Sequence, residues 1–239
     1  MLVKNGTNNS IMQGVAAVFL KEVRTEWRTR VALSGVGLFV VGALLLLGLG
    51  LGQSTKLPSA EMTGALIWVL ALFTAATGLG RAFVQEAERG TALALRLHAR
   101  SNDVWLGKFA FNALLMLLLN SLTAPVLFSL FQVRGVNAGV LICVLAMGTL
   151  AIAAIFTTMA ALVAQTTARG GLLAALAFPL LAPAFQVGLN GTKAALGIGM
   201  ESIQKSVWQV VGVDIVMLTI YTAAAITLSL WLFDFIWND

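Results

Sequence analysis

Six uninterrupted apolar runs, joined by short polar segments, constrain this chain more than any other feature. Each is long enough to cross a bilayer as a helix, for which about 20 apolar residues suffice. They cover Val31–Gly52, Gly64–Val84, Phe109–Phe131, Ala138–Ala164, Gly171–Gln186 (extending toward Asn190) and Val210–Phe233. In hydrocarbon every backbone N–H and C=O must be satisfied inside the chain, so runs of this length become helices. The sequence therefore predicts an all-α polytopic membrane protein of six transmembrane helices. Little of the 239 residues remains for a soluble domain. Composition agrees: 59% of residues are hydrophobic and 10% charged, against about 25% charged in soluble domains.

Six spans place both termini on one side. The side holding the N-terminus carries Lys4, Lys21, Arg24, Arg28, Arg30, Arg81, Arg89, Arg96, Arg100, Lys108 and Arg169. The other carries only Lys56, Arg134, Lys193 and Lys205. Eleven basic residues against four predict that both termini are cytoplasmic. The net charge of +5 is then a consequence of topology and does not point to nucleic acid. No cleavable signal peptide is expected, because the apolar stretch Val15–Leu20 is short and is followed by charges.

Two domains of unequal kind follow. Residues 1–30 form a cytoplasmic N-terminus and an amphipathic helix. Val15, Val18, Phe19, Val23 and Trp27 recur near helical spacing among Lys21, Glu22, Arg24, Glu26, Arg28 and Arg30. Such a segment is too polar to span and lies in the interface plane, with Trp27 at headgroup level beside Arg24 and Arg28. It forms an elbow entering the membrane through Val31. Residues 31–239 form the six-span domain. Pro179 and Pro183 should kink or break its fifth span.

The chemistry that is missing narrows the function. No G-x-x-x-x-G-K-[ST] phosphate loop is present, so any ATP must bind another subunit. No His/Cys/Glu cluster has metal spacing, and no serine or threonine has a base at catalytic spacing. The sole histidine, His98, is read as a solvated loop residue, and Cys143 as a small apolar one. Asp214, about four residues into the sixth span, is the acid closest to a membrane interior. The mid-span polar residues Asn112, Asn120, Ser121, Thr123, Thr149, Thr157, Thr158, Gln186 and Thr219 are amides and hydroxyls, expected to stitch helices together. An enzyme and an ion-coupled transporter both lose their physical basis.

The charged loop 85–108 stands out against this background. Glu86 and Glu88 close the second span, and Gly90 permits a sharp turn. Thr91 can cap a short helix carrying Leu93, Leu95 and Leu97, a shape suited to docking into a cleft of a soluble partner. The pattern Glu-x-Glu-x-Gly-Thr-x-x-x-Leu at Glu86–Leu95, with Gly107-Lys108 after it, resembles the hallmark of ABC-2 permeases. The block Arg169-Gly170-Gly171-Leu172-Leu173, followed by Phe178-Pro179-Leu180-Leu181 and Pro183, resembles the fifth span of the CcmB family, haem exporter protein B of cytochrome c maturation. The resemblance runs from about Leu20 to Trp237.

It implies an ABC-2-like permease subunit in a bacterial inner membrane. Its partners would be a CcmA-like ATPase, a CcmC-like haem-handling membrane protein, a CcmD-like small membrane protein and a CcmE-like haem chaperone, with two copies in the complex. ATP would sit on the ATPase and haem on a partner, with no cofactor on this chain. The only candidate axial ligands in the spans, methionines such as Met116, Met147 and Met159, are expected to be core residues. ATP hydrolysis would drive haem delivery or release of the haem-loaded chaperone, with loop 85–108 as the coupling element. An ABC-2 permease for lipid, polysaccharide or drug, and a non-transporting scaffold of a haem-handling complex, are the alternatives.

Overall fold

The computed structural model describes residues 4–51, 58–80, 83, 86, 90, 95, 99–165, 172–198 and 206–238. Among them lie seven helices and no strand. They are α1 (Lys4–Thr29), α2 (Val31–Leu51), α3 (Ala60–Gly78), α4 (Ser101–Leu130), α5 (Ala138–Ala164), α6 (Leu172–Ala195) and α7 (Val207–Asn238). Helices α2 to α7 are all long and apolar enough to cross a membrane. The fold is all-α and polytopic, as the apolar runs require.

The ends show which local signals won. Helix α3 begins four residues before the expected span, because the Ser59 side chain accepts a hydrogen bond from the Met62 N–H and caps it. Helix α4 begins eight residues early, so Gly107-Lys108 lies inside a helix and not at the end of a loop. The fifth span was expected to end between Gln186 and Asn190 and to kink or break at its prolines. Instead α6 runs through Pro179 and Pro183 to Ala195. A proline removes one N–H and crowds the turn before it, but neighbouring helices can hold such a helix together in a membrane. Pro125 is accommodated in the same way within α4. Arg30 joins α1 to α2 with φ of 53°, a left-handed residue that ends the first helix, and its N–H donates to Glu26 O.

Helix α5 is the axis of the bundle. Ala151, Ile152, Ala153 and Ala154 are all fully buried, and the small alanines let α4, α6 and α7 close around it. Three side-chain hydrogen bonds run down the antiparallel α4–α5 seam. Trp105 Nε1 donates to Thr158 Oγ1 (2.9 Å), Asn112 Nδ2 to Thr157 Oγ1 (2.9 Å) and Asn120 Nδ2 to Thr149 Oγ1 (2.8 Å). The mid-span amides and hydroxyls of this seam do stitch helices. On the far side of α5, Trp68 of α3 reaches across to Thr192 of α6, its Nε1 donating over 3.0 Å. Its ring lies on two glycines: a Cβ at Gly148 of α5 would come within 2.2 Å of it, and one at Gly188 of α6 within 2.5 Å. The spot has room for an indole only because both helices lack a side chain there.

Candidate functional site: a buried ion cluster under the elbow helix

Helix α1 lies along the first turns of α4. Its contact edge is Gly14, Val18 and Glu22, spaced i, i+4, i+8 and therefore on one face. A glycine on α4 admits it: a Cβ at Gly107 would lie 2.6 Å from Val18 Cβ and 3.0 Å from Val15 O. Close approach of the two backbones brings Glu22 over the residue after Gly107, which is Lys108.

Lys108 is 0% exposed. A buried ammonium is tolerated only when its charge and its donors are matched. Its Nζ lies 2.7 Å from Glu22 Oε1 and 3.1 Å from Glu86 Oε1, and 4.7 Å from the centre of the Phe83 ring, which presents its negative face. Lys21 completes the group. It hydrogen-bonds Glu86 and stands 3.5 Å from Glu22. Burial pulls the Lys21 ammonium down, but the hydrogen bond and charge of Glu86, with Glu22 behind, outweigh it and raise its pKa above the ordinary 10.5. Two acids and two bases thus form a neutral square tying together three segments: α1, the loop after α3, and α4.

Two of the loop's described residues lock onto the bundle. Phe83 is buried against Phe233 of α7, ring centres 5.7 Å apart. Leu95 packs against the core, and its carbonyl accepts from the Ala99 N–H at 3.0 Å. Gly90 has φ of 67°, a left-handed backbone that glycine adopts without strain, with open space around it. Glu88, Thr91 and Leu93 lie outside the described residues, as do His98 and the Arg169, Gly170 and Gly171 of the fifth-span block. Pro179 and Pro183 lie on the exposed side of α6, far along the chain from the ion cluster and not part of it. On α1, Arg24 and Arg28 are exposed and Trp27 is 79% exposed, all turned away from the ion cluster.

Sequence reasoning found Glu86 and the Gly107-Lys108 pair but missed Lys21 and Glu22 as members of the site. The signal was available. Glu22 falls four residues after Val18 on the face that packs inward, where an acid demands a cation. Lys108 was also read as a residue flanking a span, whereas it is the buried centre of the cluster.

An elbow helix, a glutamate after the second span and a lysine at the head of the third, held by one ion cluster, are the structural form of the resemblance noted in the sequence. A model of the CcmB protein family matches residues 13–230, which takes in every member of this cluster. The chain belongs to the CcmB family. No curated protein matches it. As a CcmB-family chain it is a multi-pass membrane protein and a permease subunit of an ABC transporter of cytochrome c maturation. The family is one of transporter subunits and not of enzymes.

Proposed function

We propose that this CcmB-family permease couples ATP hydrolysis on its partner to haem delivery, or to release of the haem-loaded chaperone, by mechanical transmission through the ion cluster. The observation that carries this is Lys108, fully buried, bridging Glu22 of the elbow and Glu86 of the loop. Displacement of the loop by a docked ATPase cannot leave Glu86 behind without stranding a charge. It must therefore drag α4 and the elbow with it. Helix α4 is stitched to α5 by its hydrogen-bonded seam, so the push reaches the axis of the bundle.

In this reading Glu86, Glu88, Gly90, Thr91, Leu93 and Leu95 form the ATPase-coupling loop, and Arg24, Trp27 and Arg28 anchor the elbow at the headgroups. Arg169 to Gly171, with Pro179 and Pro183, shape the fifth span. The chain sits in a bacterial inner membrane with both termini cytoplasmic, on the basic-residue bias of its loops. Two copies assemble with a CcmA-like ATPase, a CcmC-like haem-handling protein, a CcmD-like small protein and a CcmE-like chaperone. Haem and ATP are held by partners. Met116 is fully buried in the core, the packing role expected of it, while Met159, 8% exposed, also lines a cavity between α5, α6 and α7.

The test uses the assembled complex with Glu86→Lys and Gly90→Trp. The first reverses the charge that meets Lys108, and the second forces a bulky residue into a left-handed backbone. Both should weaken co-purification of the ATPase or let it hydrolyse ATP without cytochrome c maturation. Unchanged assembly, hydrolysis and cytochrome c yield in both variants would sink the proposal.

A further inference from the structure

A second cluster of charge lies beside the ion square and shares Lys21 with it. Between α1, the end of the loop and the start of α4 there is a cavity of about 430 Å³, walled by Gly14 and Lys21 on one side and by Arg100 and Asp103 on the other. Asp103 is only 6% exposed, and its Oδ1 has no hydrogen-bond partner. A buried carboxylate oxygen left without a donor is costly, and the cost calls for a ligand. The site is built to hold that carboxylate. A Cβ at Gly14 would stand 2.4 Å from Asp103 Oδ2, so only a hydrogen fits opposite the carboxylate.

The neighbouring charges say what kind of ligand fits. A cation alone would suit Asp103 but would face Lys21 and Arg100. An anion alone would suit Lys21, Arg100 and the N-terminus of α4, but would face Asp103. Arg100 forms no ion pair among the described residues, so it does not answer Asp103 itself. The cavity matches a zwitterion whose cationic end can donate hydrogen bonds.

Depth points the same way. Helix α4 has 30 residues and is about 45 Å long at 1.5 Å per residue, against a hydrocarbon core of about 30 Å. Its only two charged residues, Asp103 and Lys108, fall at this end beside Ser101 and Asn102, so the end that projects from the core carries Asp103 at headgroup level. Alongside it, the interfacial helix α1 turns Met12, Leu20 and Trp27 outward.

We propose that this cavity binds the headgroup of a phospholipid with a primary amine, phosphatidylethanolamine, with its ammonium on Asp103 and its phosphate on Arg100 and Lys21. The amine donates to the Asp103 carboxylate, whose Oδ1 is sealed from solvent and without a donor. This lipid would brace α1 against α4 next to the ion cluster. The inference stands whether or not the loop couples to an ATPase.

Native mass spectrometry of the assembled, delipidated complex tests it. The complex is titrated with phosphatidylethanolamine, phosphatidylcholine and phosphatidylglycerol of identical acyl chains. The first should bind at least about tenfold more tightly than the other two, the factor expected of one hydrogen bond to a charged group. Phosphatidylcholine cannot donate, and phosphatidylglycerol has no cation. Asp103→Asn, nearly isosteric, should erase the preference while leaving phosphatidylcholine binding unchanged. Gly14→Ala favours the α1 helix yet fills the cradle, and should erase it too. Equal binding of the three lipids by the unaltered complex would overturn the proposal, as would a preference that survives Asp103→Asn. So would loss of the ATPase from the Asp103→Asn complex with the lipid preference intact, since the carboxylate would then be receiving a side chain of the partner.

Discussion

Removing the ammonium from the centre of the ion cluster is the most discriminating perturbation of this structure. Lys108→Met keeps the length of the side chain and deletes its charge. Glu22 Oε1 and Glu86 Oε1 lie 2.7 and 3.1 Å from Lys108 Nζ, so they cannot be more than about 6 Å apart. At that separation, and an effective dielectric constant of about 20, their repulsion is roughly 3 kcal/mol. Breaking a buried pair by removing one partner costs about 3–5 kcal/mol, so the two figures agree. On the scale of soluble domains of this size, 3 kcal/mol is a fall in Tm of roughly 6–12 °C. The assay is fluorescence-detected size exclusion after heating, with protein in nanodiscs. The decisive comparison is the double variant Glu22→Gln/Lys108→Met. It leaves Lys21 and Glu86 as a neutral pair, and should recover most of the lost stability even though it carries one more substitution. If the double variant is no more stable than Lys108→Met alone, charge balance is not what holds the elbow to α4, and the reasoning fails.

Two further outcomes follow from the same geometry. The Lys21 pKa is raised in the folded state, so its ion pairs contribute fully below the ordinary 10.5 and are lost as pH rises through the higher folded value. The stability difference between the unaltered chain and Lys21→Met should be constant from pH 7 to about 10 and shrink only above about 10.5, read from unfolding midpoints across an alkaline pH series. Gly148→Ala sets a Cβ 2.2 Å from the Trp68 ring, and overpacking of this kind costs about 1–3 kcal/mol. Its Tm should drop, and adding Trp68→Phe, which shortens the ring, should restore part of it.

The apolar runs made the number and type of helices legible, because length and hydropathy decide what crosses a bilayer. Helix ends were legible where the apolar run and the helix coincide, as at Ala138–Ala164, and not where a polar cap sets the start ahead of the run. Ser59 extends α3 upstream of the hydrophobic run, and a search for apolar residues alone passes over it. The head of α4 was read as loop because Ser101–Lys108 is polar. Those residues are helical because α1 covers one side of them and buries what hydropathy assigned to solvent, Asp103 and Lys108 included. Pro179 and Pro183 were overweighted, since a local rule for isolated helices met a helix supported by its neighbours. Within the candidate site, the residues carried by a contiguous motif, Glu86 and Gly107-Lys108, were visible. Lys21 and Glu22 were not singled out, because their partners are 65 and 86 residues away and only packing brings them together.

The hydrogen-bonded seam between α4 and α5 also bears on how the protein is made. Asn112 and Asn120 are each a burden to a lone helix leaving the translocon, since an amide in lipid without a partner costs free energy. Their acceptors Thr157 and Thr149 follow in the very next helix, after a connection of only seven residues, Phe131 to Asn137. The two segments are therefore suited to partition into the bilayer as one hairpin, polar faces already matched. Synthesis of α5 would complete the insertion of α4, and a nascent chain halted between them would hold α4 short of a stable position.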